Sequence, residues 1–364
     1  LKDVVFVYLG EKVPKYVDAS LRLAQKYSGL DVTFVAQESL SSRFSRWDLR
    51  FVELESFYDP QIFENVKNNV QLDHNFRSGF WLKTLERLFV IKQFMIFESR
   101  SSIFHAELDQ LIFRADQLLN NIASTGLKGV FYPLHSAEKA VASVFYSNDI
   151  DALNSILELA SNGPPFANEM ELLSSWALRF PNKFIALPTL NEVLLEREGL
   201  SDKHSKKWIS HRSLGGIVDA SELGLWVAGR DPKNLALSER PATKFTYPTP
   251  YASLTTNSLR NLRFNFNSVK NELLVNNQDT NISIRVFNLH IQSKIHGWLI
   301  KDQSHILLMF LKANSSYKFS IPGTRWVQIK YALSIILRRV RQEKFTYVYA
   351  KSLEVVKYLI NFFK

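Results

Sequence analysis

Val4-Val5-Phe6-Val7-Tyr8 is an unbroken apolar run of strand length, closed by Leu9-Gly10. Pro14 then opens a stretch whose apolar positions Tyr16, Leu21, Leu23 and Ala24 suit a helix, and Val32 to Ala36 follows as a second buried strand. Proline suits the first turn of a helix, and short runs that are apolar at every position suit strands covered on both faces. The opening therefore reads as strand, helix, strand. It predicts an α/β fold with a mostly parallel sheet flanked by helices.

Further along, Phe51-Val52-Glu53-Leu54 reads as a short strand and Gly79 to Phe97 as a long amphipathic helix with Leu82, Leu85, Leu88, Phe89 and Phe94 on its apolar face. Ser102-Ile103-Phe104-His105 then reads as a strand delivering Glu107-Leu108-Asp109 at its carboxyl end, the edge where open α/β sheets bind ligands. Shorter strands are expected at Gly129 to Leu134 and Val141 to Tyr146, helices at Ile150 to Ala160 and Glu169 to Phe180, and a turn at Asn162-Gly163-Pro164-Pro165. From Ser201 to Asn281 the chain is polar, with Pro241, Pro248 and Pro250, and reads as long ordered loops of the kind that carry substrate contacts. Two units follow: residues 1–300, and a basic, aromatic, helical extension over 301–364 with Arg338, Arg339 and Arg341 beside Leu333, Ile335 and Ile336.

With 364 residues, 46% of them apolar, the chain can bury a large core. The absence of cysteine excludes disulfides, thiolate metal sites and a cysteine nucleophile, and leans towards a cytoplasmic location. No apolar run approaches the roughly 20 residues of a spanning helix, and Leu1-Lys2-Asp3-Val4 leads straight into a strand rather than a signal peptide. The missing initiator Met fits a trimmed chain and leaves an earlier leader or anchor open. A net charge of +10 suits nucleic acid, an anionic membrane or an anionic small substrate. No zinc-finger or RNP pattern accompanies that charge, so nucleic acid is not expected as a partner. The tail from Trp326 onwards either lies peripherally on the inner face of an anionic membrane or packs on the core as a terminal helix.

Several constellations carry candidate chemistry. Glu107 and Asp109, one residue apart at a strand end, project to one side and can share a divalent cation; a helical reading would leave both merely solvated. His290, ending the apolar strand Ile282 to Phe287, is either a third metal ligand or a buried histidine held by backbone, and Lys294 either pairs with a phosphate or lies on the surface. Arg77, Lys83 and Arg87 flank a helix start and either face a phosphate or form a solvated face. The glycine-rich stretch from Gly215-Gly216 through Asp219 to Gly229 and Asp231-Pro232 lacks the spacing of a dinucleotide or Walker loop. Glu169 and Glu171 open a helix where negative charge is favoured, and either can instead orient an acceptor hydroxyl.

Taken in order, these blocks resemble a family of bacterial and viral GT-A glycosyltransferases. The family's His-x-Glu-x-Asp motif followed by apolar residues is matched by His105-Ala106-Glu107-Leu108-Asp109-Gln110-Leu111-Ile112-Phe113. Its Phe-Asp-Ala, Gly and Gly-x-Asp-Pro block is similar to Val218-Asp219-Ala220, Gly224 and Gly229-Arg230-Asp231-Pro232, and its Leu-His-x-x-Ser-Lys to Leu289 through Lys294. The resemblance spans roughly residues 4 to 296. It departs at Asn168-Glu169-Met170, where the family often has Asn-Asp-Met.

The resemblance implies transfer of a sugar from a nucleotide-diphosphate sugar to a hydroxyl of a glycan, a surface polysaccharide or lipid-linked saccharide, with Mn²⁺ or Mg²⁺ neutralising the leaving diphosphate. It makes Asp109 the main metal ligand, gives Glu107 a contact with ribose or metal, closes the shell with His290 and sets Lys294 on a phosphate. By analogy with GT-A enzymes, Val7, Tyr8 and Leu9 hold the nucleobase. Glu169 and Asp219 stand as candidate catalytic bases or acceptor contacts. The competing expectation is a catalytically silent glycan-binding or scaffold protein on the same fold.

Overall fold

The computed structural model describes residues 2–71, 74, 79–136, 139–190, 193, 209–224, 262–267, 269–277 and 282–291. The first half runs β1 (Asp3–Val7), α1 (Lys15–Tyr27), β2 (Asp31–Ala36), α2 (Ser41–Phe44), β3 (Arg50–Glu53), α3 (Gln61–Lys67), α4 (Phe80–Phe97), β4 (Ile103–Ala106), β5 (Gln110–Ile112) and α5 (Ala115–Ser124). Then come β6 (Val130–Ser136), β7 (Lys139–Ala140), β8 (Val144–Ser147), α6 (Ile150–Asn162), α7 (Glu169–Arg179), β9 (Phe184–Leu187), a one-turn helix at His211–Leu214, β10 (Leu262–Asn267), β11 (Glu272–Asn277), β12 (Ile282–Val286) and β13 (Asn288–His290).

The central sheet has the strand order β3-β2-β1-β4-β8-β6-β7, with β9 beside β6. Pairs β3/β2, β2/β1, β1/β4 and β6/β9 are parallel, while β4/β8, β8/β6 and β6/β7 are antiparallel. This is the expected α/β architecture, a mainly parallel sheet with helices on both faces.

The continuous apolar run of β1 has a direct cause. Strand side chains alternate between faces, and both faces here are covered. Val4 and Phe6 pack with Val17, Leu21 and Ala24 of α1 and Leu118 and Ile122 of α5. Val5 and Val7 pack with Leu88, Ile91 and Met95 of α4, Leu153 and Ile156 of α6, and Leu173 and Trp176 of α7. The Asp149 side chain starts α6 by accepting the N–H groups of Asp151 and Ala152, and Asn168 does the same for α7 with Met170 and Glu171.

The expectation of long loops over 201–281 is corrected at its end. β10, β11 and β12 form a three-stranded antiparallel sheet. Phe264 and Phe266 alternate with Asn265 and Asn267, so one face is apolar, and it closes over Ala19, Leu23 and Tyr27 of α1. A second small sheet joins β5 to β13 in antiparallel register, Asn288 with Ile112, Leu289 with Leu111 and His290 with Gln110. The extension over 301–364 lies outside the described residues. Among the described residues no helix is long and apolar enough to cross a membrane.

Asp3 anchors the first strand to the chain beyond α4. Its carboxylate accepts Arg100 at 2.6 and 3.0 Å and also the Thr33 hydroxyl. Burial alone would raise its pKa, but the Arg100 and Thr33 hydrogen bonds, with the charges of Arg100 and Arg50, hold it below 3.8. A depressed carboxyl stabilises the fold above its unfolded pKa, and that contribution is lost as pH falls through the folded value. Asp3→Asn is therefore expected to cost on the order of 1–3 kcal/mol at neutral pH, the worth of hydrogen bonds to a charged group. Urea melts at pH 7 and below pH 3 check this, because the gap from the native protein should close in acid.

Candidate functional site

The site grows from the middle of the sheet. β4 lies between β1, parallel to it, and β8, antiparallel to it. Val5 is level with His105, so two residues further along both strands stand Val7 and Glu107 at the same carboxyl edge. The Glu107 N–H donates to the Ser143 carbonyl at 3.0 Å, and the Gln110 N–H donates back to the Glu107 carbonyl at 3.1 Å, closing a tight turn before β5. The Glu107-Leu108-Asp109 segment is thus a strand-to-strand turn, not a helix with solvated carboxylates. The Ile291 N–H donates to the Asp109 carbonyl at 2.8 Å, tying the end of β13 to the acidic turn.

That tie brings His290 into place. Its Nε2 lies 3.5 Å from Asp109 Oδ1 and 3.7 Å from Glu107 Oε2. One ligand atom from each of Glu107, Asp109 and His290 lies within 4.8 Å of the others. The His290 Nδ1–H donates to the Ala220 carbonyl at 2.8 Å, which leaves Nε2 turned towards the two carboxylates. A backbone acceptor on the far ring nitrogen is the arrangement that orients a ligating histidine. Two carboxylates and an imidazole fit a hard or borderline divalent cation such as Mn²⁺ or Mg²⁺. Without a cation, burial works against the imidazolium, but the Asp109 charge and hydrogen bond, then the Glu107 charge, outweigh it and raise the His290 pKa to about 9.

Arg87, on α4, reaches the same cluster. Its Nη2 donates to Glu107 Oε1 at 2.5 Å and to both Glu169 carboxylate oxygens at 3.4 Å. Glu107 is therefore shared: one oxygen meets the guanidinium and the other faces His290. Burial disfavours the Arg87 charge, but Glu107 and Glu169 reverse that and raise its pKa. Burial pushes the Glu169 carboxyl up to about 7, against the pull of Arg87 and with the push of Glu107.

Asp219 stands just behind this cluster. Burial first and Glu222 second raise its carboxyl to about 7, opposed by the N–H donors of His290 and Gly224. His105 is fully buried; its Nδ1–H donates to the Val5 carbonyl at 2.9 Å, and burial and the Arg87 charge keep it neutral. Val7 ends β1, Tyr8 and Leu9 lead off the sheet after it, and the Tyr8 N–H still pairs with the Val35 carbonyl at 2.9 Å. The structure thus gathers Glu107, Asp109, His290, Arg87 and Glu169 at one sheet edge. Arg77, Lys294 and the Gly229-to-Pro232 stretch lie outside the described residues. The double pairing of Arg87 with Glu107 and Glu169 has no local sequence signal, because both partners are remote in the chain.

No family model and no curated protein matches the chain. Solved structures similar to it include mouse xyloside xylosyltransferase 1 in its apo form, at 9% identity and a TM-score of 0.36, covering 51% of this chain and 84% of that one. Another is the glycosyltransferase GlyE of Streptococcus pneumoniae TIGR4, at 12% identity and a TM-score of 0.35, covering 56% and 50%. A third is the galactosyltransferase LgtC with donor and acceptor sugar analogues, at 13% identity and a TM-score of 0.34, covering 56% and 80%. All three are glycosyltransferases. Likeness at this level leaves the chemistry to be argued from the residues.

Proposed function

We propose that this protein is a metal-dependent glycosyltransferase that moves a sugar from a nucleotide-diphosphate sugar to a glycan hydroxyl. The observation that carries the reading is the convergence of Glu107, Asp109 and His290 at the carboxyl end of β4, two carboxylates and an imidazole presenting one ligand atom each. The resemblance of the His105-to-Phe113 and Leu289-to-Lys294 blocks to GT-A enzymes supplies the substrate class. A bound Mn²⁺ or Mg²⁺ would neutralise the charge that develops on the departing diphosphate.

Each residue has a part in this reading. Asp109 and His290 would hold the cation, and Glu107 would offer the oxygen that Arg87 does not use. Val7, Tyr8 and Leu9 border the nucleobase, and Lys294 pairs with a phosphate. Glu169 would accept the acceptor hydroxyl's proton or orient that hydroxyl; its carboxyl, raised to about 7 by burial, supports this part.

Thermal melts against a panel of sugar nucleotides with Mn²⁺, followed by assays of nucleotide release, test the proposal. At least one donor should raise the melting temperature, because ligand bound to the native state adds stability. The same donor should release nucleotide only while the metal is present. Release untouched by a chelator, or no stabilisation by any donor, would overturn it.

A further inference from the structure

Asp219 has a carboxylate whose surroundings do not suit a base. Its Oδ1 accepts the Leu223 N–H at 3.0 Å, and its Oδ2 accepts the N–H groups of Gly224 at 2.7 Å and His290 at 2.9 Å. The residue is 1% exposed. Its own backbone is braced as well. The Asp219 N–H donates to Asn288 Oδ1 at 2.9 Å, and its carbonyl accepts Asn288 Nδ2 at 3.0 Å and the Ser143 hydroxyl at 3.1 Å. Asn288 Nδ2 also donates to Gln110 Oε1 at 2.8 Å. This network holds Asp219 against β13 and the start of β5.

The next residue completes the grip. The Ala220 carbonyl takes the His290 Nδ1–H at 2.8 Å, so residues 219 and 220 hold both the backbone and the ring of His290. Gly224 allows this approach because it has no side chain. A Cβ there would stand 1.9 Å from the His290 carbonyl oxygen, far inside any tolerable contact.

We propose that Asp219 is a positioning residue that locks His290 for cation ligation and takes no proton from substrate. The inference rests on the metal-centre reading above. A carboxylate occupied by three backbone N–H groups is a structural acceptor, and partners one step behind a metal ligand commonly set its affinity.

The test compares the native protein with Asp219→Asn, Gly224→Ala, His290→Ala and the double variant D219N/H290A. Mn²⁺ affinity is measured by calorimetric titration, and amide hydrogen exchange is followed at residues 219–224 and 288–291. The native protein should bind Mn²⁺ saturably and protect the His290 and Gly224 amides. D219N should lose that protection and bind Mn²⁺ about 10–100-fold more weakly, the usual scale for partners of metal ligands. Adding D219N to H290A should weaken binding little further, because residues acting through one group are not additive. Should D219N fail to fold, G224A carries the test, since it crowds the His290 carbonyl and Asp219 Oδ2 while keeping the carboxylate's charge, and about tenfold weaker binding is expected. Native affinity in a folded D219N or G224A, or an undiminished D219N effect in the H290A background, overturns the inference and leaves the metal centre standing. Absence of saturable Mn²⁺ binding by the native protein overturns the metal centre and the inference together.

Discussion

Asp109→Asn is expected to abolish metal-dependent nucleotide release, lowering its rate by about 10³-fold or more, while the protein stays folded. The magnitude follows from the several kcal/mol of transition-state charge stabilisation that a bound cation supplies, at about 1.4 kcal/mol per factor of ten. Asn keeps the shape and one oxygen but loses the negative charge that the cation needs. The backbone role of Asp109, accepting the Ile291 N–H through its carbonyl, is untouched by the substitution, so β13 should stay docked. Steady-state rates with saturating Mn²⁺, alongside circular dichroism, separate loss of chemistry from loss of fold. A folded D109N with native turnover would remove Asp109 from the site.

Arg87→Met is expected to destabilise the whole protein. The guanidinium is mostly buried, and so are the two carboxylates it serves; the side chains of Arg87, Glu107 and Glu169 are 11%, 18% and 8% exposed. Removing one partner of a buried ionic cluster leaves uncompensated charge and costs about 3–5 kcal/mol. For a domain of this size each kcal/mol shifts the melting temperature by about 2–4 °C, so the fall should be roughly 6–20 °C. Glu169, already raised to about 7, takes up a proton once Arg87 is gone, so Glu107 is the stranded charge, and adding Glu107→Gln to R87M should recover part of the loss. Thermal melts of the two variants check both effects. A melting temperature within about 2 °C of native for R87M, less than 1 kcal/mol on the same scale, would show that the cluster is solvated rather than enclosed.

How far the sequence announces all this varies by element. β1, α1 and β2 are legible because a sheet covered on both faces favours apolar residues along its strands; Val4 to Val7 supply them, as do Val32 and Phe34 to Ala36, while the Thr33 hydroxyl is satisfied by Asp3. β5 is not, because three residues carry no period, and its partner β13 is remote in the chain. The hairpin of β10 and β11 does leave a trace in Phe264-Asn265-Phe266-Asn267, a period of two that the surrounding polar and proline-rich sequence masks.

The site shows the same division. Glu107 and Asp109 stand out by their place after an apolar strand, and His290 by its place at the end of another. Arg87 reads from sequence only as a residue able to face a phosphate. Its pairing with Glu107 and Glu169 depends on α4, β4 and α7 meeting at one edge, which spacing does not encode. Asp219 likewise reads only as a candidate base or acceptor contact until its three N–H partners are placed around it.

The small β5/β13 sheet has a consequence for how the molecule is made. On the ribosome, β1 through β9 emerge well before Asn288–His290, so the acidic turn is synthesised ahead of its partner strand. Asp109 and Glu107 then exist as a negatively charged turn with no imidazole beside it. Only when Asn288–His290 emerges and pairs with Gln110–Ile112 does the imidazole of His290 arrive beside them. On the proposed reading, cation affinity would be a property of the finished chain, because Glu107 and Asp109 meet His290 only through this late pairing.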